Sequence, residues 1–271
     1  YCGPNFSSKW VEEIKEHGPY KLDEMLFNGG SDVVTQVRNN EDNPYTDAFW
    51  KWFPKAKDNM HTFRITGGEP LLSKHTFKVI DQLIAEPNPD LEFAINSNGN
   101  VPDKLWKKFV VKIKELQEKK CVKEFTLYTS AEATGKQCEY IRDGMNWDQF
   151  KNNINYFLDN TPDTKVTYMS AFNLLSAPSF LGFLKYVLSV KRTYNSCGLQ
   201  SWVKEDTVVD LNKFQTLSNP QTVRPSKKSF KRVYIDIPYV RSPEFLDARN
   251  LTKEIIEDYL IPCLDFMVSN C

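Results

Sequence analysis

Four short stretches of this chain carry side chains and backbone that could do chemistry together. "ITGGEP" places Gly67 and Gly68 beside Glu69. Paired glycines let a ligand come close to backbone carbonyls, and a carboxylate beside them suits a cationic amine. A tight strand-to-helix turn is the other reading of this tetrad. "NSNG" offers the amides of Asn96 and Asn98, which suit sugar hydroxyls or simply form an Asn-Gly turn. "YTSAEATGKQCEYIRDGMNW" sets Ser130 twelve residues before Arg142. A hydroxyl and a guanidinium converging from one loop suit a carboxylate. Arg142 equally suits a surface ion pair with Asp143 or Glu139. "MSAFNLLSAPS" mixes small, polar and apolar residues, of the kind that fit an adenine face, but its signal is poor. Finally, Cys2 stands almost at the first residue, after Tyr1.

These stretches recur at one kind of place. "MHTFRITGG", "LEFAINSNG", "KEFTLYTSA" and "KVTYMSAF" read as strands, each closed by one of the chemical stretches. Between them, "SKHTFKVIDQLIAE", "DKLWKKFVVKIKELQEKK" and "NWDQFKNNINYFL" read as helices. Phe77, Ile80 and Leu83 share a face of the first, with Ser73 as its N-cap. Trp106, Phe109, Ile113 and Leu116 share a face of the second. "PSFLGFLKYVLSVKR" follows as a helix and "GLQSWVKE" as a fifth strand. Alternating strands and helices predict βαβ units on a parallel sheet, whose ligands bind at the carboxyl ends of the strands. Spacing alone does not choose between a barrel and an open sheet. A helix in "SSKWVEEIKEH" precedes the first visible strand, so a strand upstream of Cys2 is expected.

Beyond residue 203 the rhythm fails. The chain is expected to divide into a core, residues 1–203, and a C-terminal extension, residues 204–271. The extension holds β-like pieces around "RVYIDIPYV" and a last helix divided at Pro262. The insert at residues 28–59 reads as a long connection whose aromatic tail packs on the sheet end.

With 35 basic and 35 acidic residues the net charge is zero. That argues against nucleic acid or an anionic membrane as partner. The six cysteines form no C-x-x-C pair. A reducing, cytoplasmic setting is expected, with Cys121, Cys138 and Cys197 as packing thiols and Cys263 and Cys271 as structural residues.

Taken together, the strand ends offer acceptors for an amine, donors for a carboxylate and amides for a ribose. There is no Gly-rich phosphate loop, so S-adenosylmethionine fits better than a nucleotide phosphate. At this point the sequence resembles the radical S-adenosylmethionine superfamily, in its form with a C-terminal twitch extension. "YC" before "GPNFSSKW" is similar to the end of the C-x-x-x-C-x-aromatic-C motif. "GGEP" follows one βα unit later. "SAEATGKQCEYIRDGMNW" is similar to S-x-D-x-x-G-x-x-x-E-Y-I-R-x-G-x-x-W, with Glu132 where the family often has Asp. The likeness runs from residue 1 to about residue 200.

The resemblance implies an α/β fold, a partial (β/α)6 TIM-like barrel lacking its first strand. It implies a [4Fe-4S] cluster held in part by Cys2, with the other two ligands upstream of Tyr1. S-adenosylmethionine is then held by Gly67, Gly68 and Glu69 at its ammonium, by Ser130 and Arg142 at its carboxylate and by Asn98 at its ribose. It further implies an electron donor such as flavodoxin or ferredoxin and a small-molecule or peptide substrate, with Trp202, Tyr239 and Arg241 as candidates for the far wall. One rival is a non-catalytic module that binds a nucleoside or a partner protein on the same fold. Another is a βα enzyme using a divalent metal, for which His61 and His75 show no ligand spacing.

Overall fold

The structure, a computed structural model, describes residues 8–18, 43–195, 231–240 and 246–270. Helix α1 (Ser8–His17) comes first, then α2 (Pro44–Ala56) and strand β1 (Thr62–Ile65). Four further strands follow: β2 (Asn88–Ser97), β3 (Val122–Ser130), β4 (Lys165–Met169) and β5 (Val233–Asp236). They form one sheet in sequence order, with each neighbouring pair parallel. The connecting helices are α3 (Lys74–Ala85), α4 (Asp103–Glu118), the short α5 (Gly135–Ile141), α6 (Trp147–Asn160) and α7 (Ala177–Tyr194).

Local sequence accounts for these elements. The Ser73 hydroxyl accepts from the His75 N–H and starts α3, and Asn146 does the same for α6 through the Gln149 N–H. Along α4, Trp106, Phe109, Ile113 and Leu116 are all buried, as their spacing dictates. The basic run on its other side is a solvated face, where Lys107, Lys112 and Lys119 pair with Asp103, Asp81 and Glu115. Insert residues 44–56 are a helix rather than a loop. Asn43 caps it, Pro44 opens it, and Phe49 and Phe53 stack on Phe63 of β1. The aromatic tail therefore packs on the flank of the first strand.

The core lies on one side of the sheet. Phe93, Ile95, Phe125, Leu127, Val166, Tyr168 and Val233 all join it, and the strand registers put them on a common face. Helices α4 and α6 meet there through Trp106, Phe109 and Phe157. The buried indole of Trp106 donates to the Asn153 carbonyl at 2.8 Å. Each such ring contributes on the order of 2–3 kcal/mol through burial. The opposite face carries Arg64, Glu92, Asn96, Glu124, Thr126, Tyr128, Ser130, Lys165 and Thr167, none of them fully buried. Parallel sheets are normally covered on both faces. This one is covered by apolar packing on one and lined with polar groups on the other.

The fifth strand was expected in "GLQSWVKE", which lies outside the described residues. The fifth strand among the described residues, β5, comes from residues 233–236, within the stretch expected to be an extension. Arg232 holds it in place, donating to the carbonyls of Leu158, Thr161 and Thr164 at 2.7–3.2 Å. The last helix is divided as Pro262 requires. A π-helical turn (Ile256–Leu260) separates α8 (Lys253–Ile255) from α9 (Ile261–Asn270), which relieves the missing N–H. Among the described residues no helix is long and apolar enough to cross a membrane.

Candidate functional site

β1 ends at Ile65 and the backbone turns through Gly67 at φ 139°, a conformation reserved for glycine. No N–H among the described residues bonds to the Gly67 or Gly68 carbonyl. Glu69 follows, and its two carboxylate oxygens have separate tasks. Oε1 accepts from the Leu71 N–H at 3.1 Å and caps the short helix Pro70–Leu72. Oε2 accepts from the Asn98 N–H at 2.7 Å and ties the end of β1 to the end of β2. Burial pushes the Glu69 carboxyl above the ordinary carboxylate range, against the pull of these donors. Glu69 is thus a brace between two strand ends. Its oxygens retain lone pairs for a further donor.

At the end of β2 the Asn-Gly turn is real. Asn98 Oδ1 accepts from the Asn100 N–H at 2.8 Å, and Gly99 has φ 68°. A Cβ on Gly99 would come within 2.9 Å of the Phe150 ring. Asn98 itself is exposed, and among the described residues its Nδ2 has no partner. Asn96 sits two residues earlier, with Oδ1 accepting from Arg64 Nε at 2.7 Å.

Ser130 closes β3 next to Met169 of β4. Arg142 follows the end of α5. Its guanidinium donates to Glu132 through Nε at 2.7 Å and Nη2 at 2.6 Å. Glu132 is fully buried. Neither expected surface partner takes Arg142. Asp143 pairs with Lys9 of α1, and Glu139 pairs with Lys136 at 2.7 Å.

A cleft of about 450 Å³ opens at the carboxyl end of β1, lined by Arg64, Thr66, Gly67, Gly68 and Glu69 and walled by Phe49 and Phe63. Asn98, Ser130 and Arg142 do not line it. The structure therefore brings the two glycines and Glu69 together in one cavity and sets Asn98 beside them through the Glu69 bond. Ser130 and Arg142 stand one strand further on. Cys2, Trp202 and Arg241 lie outside the described residues. Tyr239 is half exposed and bridges to Phe172 beyond the end of β4.

The cysteines that are described are packing groups. Cys121 and Cys138 are fully buried, and burial pushes the Cys138 thiol up to about 11. Cys263 is buried and its thiol donates to the Tyr259 carbonyl. His75 accepts from the Trp50 indole at 3.0 Å. Among the described residues no group of three or more His, Cys, Asp or Glu could hold a metal ion.

Sequence reading missed Arg64, Tyr128 and the Glu132 partner of Arg142. A signal for the first was present, since alternation in "TFRI" sets Arg64 opposite Phe63 and Ile65. No signal in the sequence linked Glu132 to Arg142 rather than to a nearer basic residue. No family model, no curated protein and no solved structure matches the chain.

Proposed function

We propose that this chain is the core of a radical S-adenosylmethionine enzyme, its sheet curled as part of a (β/α) barrel with the polar face inward. The observation that carries the reading is a coincidence of place. The residues of two of the resembling motifs, with the Asn-Gly stretch between them, stand at the carboxyl ends of three adjacent parallel strands, and the Gly67 and Gly68 carbonyls are unengaged among the described residues. The one-sided apolar packing supports it too, because the helices of a (β/α) barrel cover the outer face of the sheet and leave the inner face to the site.

In this reading the donor and acceptor set fits an adenosyl amino acid. The carbonyls of Gly67 and Gly68 accept from its ammonium, and Glu69 adds negative charge while bracing the loop. Ser130 donates to its carboxylate, Arg142 supports that end from its anchorage on Glu132, and Asn98 Nδ2 reaches its ribose. Cys2, with two cysteines upstream of Tyr1, would hold a [4Fe-4S] cluster, three thiolates leaving one iron open. When bound, these groups supply an electron, from a donor such as flavodoxin or ferredoxin, that releases a 5′-deoxyadenosyl radical able to take hydrogen from a small molecule or peptide. The chain's own part is to orient the cofactor and exclude water.

The test uses a longer chain that begins upstream of Tyr1, prepared without oxygen and supplied with iron and sulfide. The expected result is about four irons per chain and dithionite-dependent release of 5′-deoxyadenosine. Release should fall at least ~10-fold in Glu69→Ala, the cost of one charged contact. A chain that binds S-adenosylmethionine but never cleaves it is a binding module, and one that neither binds nor cleaves it has another function altogether.

A further inference from the structure

Among the described residues, Arg64 is an exposed cation on the polar face of the sheet. Its neighbour across the β1–β2 ladder is Ala94, whose methyl leaves the space above β2 clear. The guanidinium crosses that space. Nε donates to Asn96 Oδ1 at 2.7 Å, and Cζ rests 3.7 Å from the centre of the Tyr128 ring on β3. A long exposed side chain is ordinarily free to rotate, but this one is held by a hydrogen bond at one edge and a ring beneath its plane. The carboxylates nearest it in the strand registers are already engaged, Glu92 with Lys123 at 2.7 Å and Glu124 with Lys165. Among the described residues no acceptor takes its terminal amino groups.

A fixed, planar guanidinium with both terminal nitrogens available has the geometry for two parallel bonds to a carboxylate or phosphate. It also lines the cleft that holds Gly67, Gly68 and Glu69. We propose that Arg64 anchors an anionic group, carboxylate or phosphate, of the molecule on which this protein acts. That the anchored molecule is a substrate rests on the function proposed above; that Arg64 binds an anion does not.

The test titrates the 271-residue chain at low ionic strength, by calorimetry, with inorganic phosphate and separately with succinate. Saturable binding of one or both is expected, and the stronger of the two names the source of charge. Arg64→Gln should weaken it at least ~10-fold. Arg64→Lys should restore only part, since an ammonium lacks the fork. Tyr128→Leu, which keeps the charge and removes the ring, should weaken it several-fold. Parent and Arg64→Gln, both made as the longer chain that begins upstream of Tyr1, are titrated with S-adenosylmethionine as well. The proposal is overturned if the parent chain binds neither anion, or if Arg64→Gln binds them equally well. Loss of S-adenosylmethionine binding in a variant that melts with the parent also overturns it, because Arg64 would then serve the cofactor. Should the longer chain that begins upstream of Tyr1 hold anions through Arg64 but never bind S-adenosylmethionine, the anion site stands and the function proposed above falls.

Discussion

Arg142 and Glu132 show how a residue can be visible in a sequence while its partner is not. Spacing marked Arg142 as a group near a strand end. Nearer acids, Asp143 and Glu139, were the obvious partners along the chain. The fold instead brings Glu132 to it, ten positions back and fully buried. A buried carboxylate deprived of its cation is costly, whatever ligand the site takes. Arg142→Ala is therefore expected to lower stability by roughly 3 kcal/mol, read as a shift in the midpoint of urea unfolding. A variant as stable as the parent would show that Arg142 is dispensable to the fold. Glu69 makes the complementary point. The tetrad reads as either a turn or a ligand cradle, and the structure shows the turn. The carboxylate makes the turn, while the glycine carbonyls stay unbonded among the described residues.

Elements were legible where one local rule governed them. The helical spacing of α3, α4 and α6 and the caps Ser73 and Asn146 needed only the sequence, since each depends on residues within a turn or two. Helix α2 was missed because residues 28–59 were read as one long connection. Yet Asn43 followed by Pro44 is a helix start, and Phe49 and Phe53 are one turn apart. The turn after β2 was read correctly as Asn-Gly, but its tightness was not. Gly99 needs a positive φ and also lies against Phe150 of α6. Gly99→Ala meets both penalties, so a loss of about 1–3 kcal/mol is expected. Thermal unfolding would measure it. A similar melting temperature would mean that the ring and the backbone yield together.

At the scale of the whole molecule, the boundary at residue 203 falls between β4 and β5, the last strand of the sheet among the described residues. β5 runs parallel to β4, and Arg232 pins it to the end of α6 through three carbonyls. A chain ending at residue 203 would lose Val233 from the core and expose the outer edge of β4. It is expected to aggregate or elute as a mixture in size-exclusion chromatography, whereas the 271-residue chain gives one species. A well-behaved, cooperatively unfolding 203-residue chain would show that residues 1–203 fold without β5. By itself the sequence determined the alternation of strands and helices, the parallel sheet it implies, the inward faces of the helices and the strand ends where chemistry gathers. All of these follow from local periodicity and from turn residues. Only the tertiary structure decided that β5 comes from beyond residue 203, that Arg142 is bound by Glu132 and that Arg64 lies across Ala94 onto Tyr128. Each of these is a contact between distant segments, and no pattern along a chain encodes which distant group will fill a given space.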